Sequence, residues 1–139
     1  MTLKTIFFIT LCAGPFVVSG QAFNREQIIG AWTCVDVSFS EKMTESDAVE
    51  KTKRGLINSQ FIFRPNGLFF LHLPAIAPTE FKELEAMNNK MWHIKAKERM
   101  VFVGSLDDDL LTMNVKLANG SYYFSIKDTP LVLKMIKNR

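Results

Sequence analysis

The sequence predicts an all-β protein: an eight-stranded antiparallel up-and-down barrel with a short helix in a connecting loop. Three observations lead to this prediction. Short segments of alternating apolar and polar residues recur as far as residue 137, turn residues separate them at nearly regular spacing, and most connections are too short for parallel neighbours. With about eight strands, a barrel interior is either just filled by side chains or just holds one small ligand.

The N-terminal segment has the pattern of a secretory signal. Lys4 supplies the positive start, residues 6–18 form the apolar run, and residues 20–22 (Gly-Gln-Ala) form a small-x-small cleavage site. The run is shorter than the about 20 apolar residues that a membrane-spanning helix needs. We therefore expect cleavage near Ala22, one domain over residues 23–139, and a secreted or periplasmic protein without stable membrane insertion.

Charge and cysteine content narrow the classes of partner and chemistry. Lys4 is the only charged residue that leaves with the signal, so 16 of the 17 basic side chains and all 14 acidic ones remain. The basic residues are scattered along the chain with no basic run interleaved with aromatics, so no nucleic-acid partner is expected. The single remaining cysteine, Cys34, excludes a disulfide framework and is predicted to be a buried small hydrophobe.

The first strand is predicted over residues 31–39. Gly30 permits a tight backbone before it, and Trp32 would point a large apolar side chain into one end, so Gly30 and Trp32 are predicted to plug the barrel. Residues 40–55 then form a long connection with mixed charges, in which we predict a short helix over residues 45–53. Such a connection is either a lid or a solvated loop, and the sequence leaves both open.

The next hairpin joins a strand predicted over residues 57–64 to its partner through Pro65-Asn66-Gly67. Proline pre-sets the first turn angle, and glycine takes the left-handed position. The residues that this pairing places on the inward face are Phe61, Phe63, Phe69 and Leu71. A second long connection follows over residues 74–89, and its apolar stripe predicts a short helix over residues 78–87 that docks on the barrel wall or caps an open end.

The C-terminal half reads as a regular meander. Strands are predicted over residues 90–95 and 100–106, and the inward face of the second is ambiguous because both of its faces are apolar. The alternation of Leu111, Met113, Val115 and Leu117 is the clearest in the chain. Asn119-Gly120 predicts a two-residue hairpin turn, and the last strand is predicted over residues 131–137.

Taken together, these residues resemble the bacterial lipocalin-like domain proteins, small secreted members of the calycin group of barrels. The motifs that carry the resemblance are Gly30-x-Trp32, Phe61-x-Phe63 before Pro65-Asn66-Gly67, Trp92-x-Ile94 and Leu131-x-Leu133. The resemblance covers essentially the whole mature chain and implies the barrel. It also implies a basic residue near the last strand that packs over the early tryptophan, for which Lys134, Lys137 and Arg139 are candidates.

The sequence offers little material for catalysis. His72 and His93 lie in separate strands, and neither has a cysteine or an acid at ligand spacing, so we predict wall residues and no metal site. The acidic run at residues 107–109 lacks the glycine and the distal glutamate of a calcium loop. We predict no enzyme, no catalytic residue and no cofactor, because a calycin-type enzyme would need a titratable group inside the barrel.

Two functions remain open at this point. The first is noncatalytic binding of a small hydrophobic or amphipathic ligand inside the barrel, with residues 40–55 gating the entrance. The predicted ligand-binding wall comprises Phe61, Phe63, Phe69, Leu71, Trp92, Met113, Tyr122 and Phe124. The second is a packed barrel that acts as a protein-interaction or inhibitor module through its long loops, because large rings can also fill a narrow barrel.

Overall fold

The structure, a computed structural model, describes residues 23–42, 46–105 and 107–139. Within these ranges, eight antiparallel strands close into a barrel in chain order, with the last strand paired to the first. The strands are β1 (Gly30–Phe39), β2 (Gln60–Phe63), β3 (Leu68–His72), β4 (Lys90–Lys95), β5 (Met100–Gly104), β6 (Asp109–Ala118), β7 (Ser121–Ile126) and β8 (Leu131–Lys137). The predicted eight-stranded up-and-down barrel is therefore confirmed.

Helical segments precede and connect the strands. They are α1 (Arg25–Ile28), α2 (Ser46–Leu56) and a 3₁₀ helix (Thr79–Met87). The sequence did not predict α1, which begins with reciprocal hydrogen bonds between Asn24 and Gln27. Helix α2 extends past its predicted end at Lys53. Its predicted start at Glu45 lies outside the described residues, as does the predicted signal over residues 1–22.

The up-and-down order places alternate connections at opposite ends of the barrel. The β2–β3, β4–β5 and β6–β7 turns lie at the end where α1 enters and β8 finishes, which we call the closed end. The other connections lie at the opposite end, where α2 and the 3₁₀ helix pack, which we call the lid end. This division matters for function because side chains that are far apart in sequence return to the same end.

The first hairpin has the predicted register, but its first strand is shorter than predicted. Phe63 pairs with Phe69 and Phe61 pairs with Leu71. The strand predicted from residue 57 begins only at Gln60, because α2 continues to Leu56 and the chain then reverses through a left-handed residue at position 58. Just before β2, the Cys34 amide of β1 donates a hydrogen bond to the carbonyl of residue 59 at 3.0 Å.

The fifth strand also differs from its predicted length. It ends at Gly104 because that residue has φ +120° and forms a bulge opposite β6. Of the two remaining predicted positions, Ser105 lies outside the strand and Leu106 lies outside the described residues. The ambiguous inward face is now resolved, since Val101 and Val103 belong to the core. Phe102 points outward but is only 5% exposed, and the ring of His93 lies 5.2 Å from it.

The β6–β7 hairpin turns where the sequence predicted. Asn119 and Gly120 both have positive φ, which fits the turn whose twist matches that of the flanking strands. Leu117 continues the predicted alternation of β6, but its side chain is 47% exposed. Strand β6 extends past the last residue that β5 pairs with, Met100 opposite Asn114, so no neighbouring wall covers Leu117 from that side.

Candidate functional site

The closed end is sealed by apolar side chains around Trp32. The indole is fully buried, and its Nε1 donates a hydrogen bond to the carbonyl of Ile28 at 2.9 Å. Ile28, at the end of α1, is also fully buried, and Phe23 joins the same core. The indole therefore has its polar atom satisfied by the segment that closes the barrel, as a buried tryptophan requires.

Lys137 packs over this seal from outside. Its Nζ lies 5.5 Å from the centroid of the Trp32 ring and donates a hydrogen bond to the carbonyl of Gln27 at 3.0 Å. Gly30 makes room for the lysine: it has φ +136°, and a Cβ there would overlap the Lys137 stem. Of the three basic residues that the resemblance offered for this role, the structure therefore selects Lys137. Burial lowers the pKa of its ammonium group.

Two arginines hold the same end in a similar way. Arg25 lies over Trp92, with 4.3 Å from its guanidinium carbon to the ring centroid, and donates to the carbonyl of Pro65 at 2.9 Å. Arg99 lies over Phe23 at 5.2 Å. Each cation covers the face of a buried ring while its charged group stays at the surface. The closed end thus carries several fixed positive charges.

The interior brings together all eight residues predicted to bind a ligand. Seven of them are buried core residues, and Tyr122 packs against the core at its margin. The rings contact one another in series: Trp92 lies 5.4 Å from Phe63, Phe63 lies 5.1 Å from Phe69, and Phe69 lies 5.9 Å from Phe61. Phe124 continues the series to Trp32 at 5.2 Å. Edge-to-face and tilted contacts at these distances are those of a packed aromatic core.

The lid end is covered by the two long connections. Leu56 of α2 and Met87 of the 3₁₀ helix are buried in the barrel core. The two segments also meet directly, since Gly55 packs against the ring of Phe81 so closely that a Cβ would overlap it. An exposed ion pair joins Lys51 and Glu80 at 3.5 Å. The two connections therefore pack on the barrel and on each other, and we call this cover the two-part lid.

One thiol lies inside this covered interior. Cys34 is fully buried, and burial raises the pKa of its thiol to about 12. Its Sγ donates to the carbonyl of Asp36 at 3.4 Å, so the proton has a partner. A thiol in this state is a poor nucleophile at neutral pH.

The two histidines do not approach each other. Strands β3 and β4 pair Leu68 with Met91, which leaves His72 and His93 at opposite ends of that pairing, about 20 Å apart at the rise of a strand. Among the described residues, no three His, Cys, Asp or Glu side chains gather into a group that could hold a metal ion.

A groove of about 670 Å³ lies on the outer wall, where β4 meets the end of β5 and the start of β6. Its lining residues are Asn89, Lys90, Met91, His93, Gly104, Ser105, Asp107, Asp108 and Leu110. Met91 is 54% exposed and Leu110 is 47% exposed, although both are large apolar side chains. None of the eight inward residues lines this groove, so it is a separate surface feature.

The shape of the groove depends on its glycine. At φ +120°, Gly104 turns the chain away from the wall, and a Cβ there would overlap the backbone of residues 108 and 110. The rim that follows is fixed by hydrogen bonds between Ser105 and Asp108, including one from the Asp108 amide to Ser105 Oγ at 3.0 Å. This site was not predicted from the sequence, although apolar residues at outward strand positions were a signal for it.

A smaller pocket of about 70 Å³ lies farther along the same wall, beside Phe102. Lys95 and Lys127 flank it, and the hydroxyl of Thr112 donates to the Asp109 carboxylate at 2.7 Å, which lowers the pKa of that carboxyl group. At about 30 Å³ per water, this volume suits two or three solvent molecules and no organic ligand.

Neither a family model, nor a curated protein, nor a solved structure matches the chain. Over the described residues, no helix combines the length and the apolar character needed to cross a membrane. The eight-stranded barrel is therefore established by the structure, whereas the resemblance to lipocalin-like domains stays a prediction from the sequence.

Proposed function

We propose that this protein is a noncatalytic module that binds another protein through the groove on its outer wall. One contrast supports the proposal: the inward aromatic residues pack against one another, whereas Met91 and Leu110 leave about half of their surface exposed in a groove. Apolar side chains that are exposed together beside polar groups are typical of interaction sites.

The groove suits a partner that inserts one apolar side chain between Met91 and Leu110. Asn89 and Ser105 lie beside them and offer hydrogen bonds to a partner backbone. Charged groups of both signs lie at the rim, and such groups orient and select a binding partner more than they raise its affinity. This contact differs in place from the loop surface expected from the sequence, because the apolar loop residues Phe81 and Leu84 are partly buried against the barrel.

The test is site-specific photocrosslinking in the source cells. A photoreactive phenylalanine at position 110 should capture one defined partner, and Met91→Glu should reduce that capture at least tenfold, as expected for a contact near the centre of an interface. Ile76 supplies the matched control because it is exposed and apolar but lies in the β3–β4 connection, outside the groove. Equal capture from positions 76 and 110, or capture unaffected by Met91→Glu, would refute the proposal.

Ligand binding inside the barrel is the second candidate, and the two-part lid favours it. The lid is held partly by an ion pair whose side chains are at least half exposed, and ion pairs of this kind contribute little to stability. A small apolar molecule would enter by displacing the lid and then separating the rings below it. The motivating feature is the aromatic wall that lies directly under a cover made from two loops.

Native mass spectrometry distinguishes this candidate from the first. The protein recovered from its source, and a Phe81→Ala variant with a weakened lid, would both be measured with and without added lipids and aromatic metabolites. Interior binding predicts a bound species that increases in the variant. If no species is retained by either protein, the interior serves only as a core.

A further inference from the structure

We propose that the closed end of the barrel docks onto an anionic lipid bilayer. The fold brings three hairpin turns, α1 and the last three residues of the chain to this end. The basic residues in these segments are Arg25, Arg64, Lys97, Arg99, Lys137 and Arg139. The acidic residues in the same segments are Glu26 and Glu98. This surface is therefore strongly basic, although the chain as a whole is close to neutral.

The positive charges at this end are not neutralised by ion pairs. The one salt bridge within the described part of the chain joins Lys51 to Glu80, and it lies at the lid end. At the closed end, Arg25, Arg99 and Lys137 rest on aromatic faces and donate to backbone carbonyls, contacts that fix a cation and leave its charge intact. The charges are thus held in place before any partner arrives.

The opposite end contains acidic segments. The 3₁₀ helix carries Glu80, Glu83 and Glu85 against one lysine, and the β5–β6 connection carries two aspartates. Helix α2 at the same end carries three basic and two acidic residues, so these segments together remain acidic. An uneven distribution of this kind orients a protein in an electric field, with the basic end toward a negative surface. Juxtamembrane clusters of four to eight basic residues are typical of binding to acidic lipid headgroups.

An exposed apolar side chain accompanies the charges. Leu117 lies near the tip of the β6–β7 hairpin, which projects past the pairing with β5, and it is 47% exposed. A projecting hairpin with one large apolar side chain beside a basic surface suits shallow insertion among headgroups.

The experiment is vesicle co-sedimentation of the exported protein, with its N-terminus read by mass spectrometry and identical in all variants. Vesicles of phosphatidylcholine with about 30% phosphatidylglycerol would be compared with pure phosphatidylcholine. We expect binding to the anionic vesicles at about 50 mM salt and its loss at about 500 mM, where the screening length is only a few ångströms. Double-stranded DNA would be added as a second anionic probe.

Charge-neutralising variants locate the surface. Lys97 and Arg139 are both exposed. Because each basic residue near an anionic surface strengthens binding by about fivefold, Lys97→Gln and Arg139→Gln should each weaken binding by about that factor. Lys82→Gln and Lys127→Gln remove equivalent exposed charges at the lid end and should change binding less than twofold. Leu117→Ser should weaken binding without altering its dependence on salt.

Four outcomes would overturn the proposal. They are no binding to anionic vesicles at low salt, equal binding to neutral vesicles, equal losses from variants at the two ends, and binding to DNA without binding to vesicles. Each is independent of the groove, because none of the residues changed here lines it. Failure of the bilayer proposal would therefore not refute the proposed protein-binding site.

Discussion

Lys137 and Trp32 lie on opposite sides of the seal at the closed end, with the ammonium group 5.5 Å from the indole centroid. Strand β8 brings them together, since Lys137 is its last residue and pairs with Trp32 of β1. The same lysine donates to two carbonyls of α1, those of Glu26 and Gln27. One side chain thus links the first strand, the last strand and the short helix that closes the barrel.

Replacing Lys137 with methionine should therefore destabilise the fold. Lys137→Met keeps most of the apolar stem but removes the charge and the donated hydrogen bonds, so we expect a loss of about 1–2 kcal/mol in the free energy of unfolding. Urea denaturation followed by tryptophan fluorescence measures it. Lys116→Met is the matched control, because Lys116 is exposed on β6 and should cost less than about 0.5 kcal/mol. Equal losses in the two variants would contradict the assigned role.

Because Gly55 contacts Phe81 in the lid, we expect the effect of Gly55→Ala on the free energy of unfolding to change sign when Phe81 is also replaced. Gly55→Ala alone places a methyl group into the Phe81 ring, and overpacking of this kind costs about 1–3 kcal/mol. In a Phe81→Ala background the ring is gone, and the same substitution should stabilise α2 by up to about 1 kcal/mol through helix propensity. Urea denaturation of the four proteins gives the double-mutant cycle. A destabilising effect of similar size in both backgrounds would show that the two residues are not in contact.

The buried thiol predicts a loss of stability in alkaline solution. The pKa of Cys34 is raised in the folded protein to about 12 from an ordinary value of 9.0. Above pH 9 the unfolded chain releases this proton and the folded chain keeps it, so unfolding becomes easier as pH rises toward 12. The slope from this one group is about 1.4 kcal/mol per pH unit.

Comparison with a Cys34→Ala variant isolates this slope, because other groups titrate in the same range and are common to both proteins. The difference in unfolding free energy between the two proteins should narrow or reverse as the pH rises from 9 to 11. The native thiol should also fail to react with a thiol-specific reagent at pH 8 and react promptly in urea. A parallel pH dependence in the two proteins, or rapid native labelling, would contradict the buried state.

Local sequence signals predicted the hairpins well. The β2–β3 register follows from alternating apolar residues on each side of the Pro65–Gly67 turn, and the β6–β7 turn follows from Asn119-Gly120. Each of these features depends on neighbouring residues alone. The eight inward residues were also predicted from alternation, but whether they enclose a space or fill it depends on how the rings meet across the barrel, which alternation does not encode.

Features that depend on long-range register could not be predicted. The choice of Lys137 over Lys134 and Arg139 requires knowing which residue of β8 lies opposite Trp32. The basic closed end has the same origin, because its charges come from separate turns and appear scattered in the sequence. The groove depends on a bulge at Gly104, and a glycine at the end of an apolar run does not reveal one.

The central claim is that the aromatic residues inside the barrel form a core, which leaves recognition to the outer surface. Phe124 tests it most directly because its ring lies 5.2 Å from Trp32 and 6.5 Å from both Phe61 and Phe63. A packed core predicts that Phe124→Ala lowers the free energy of unfolding by about 3–5 kcal/mol, measured by urea denaturation. A loss below about 1 kcal/mol would mean that the ring borders an open space, and it would contradict the account.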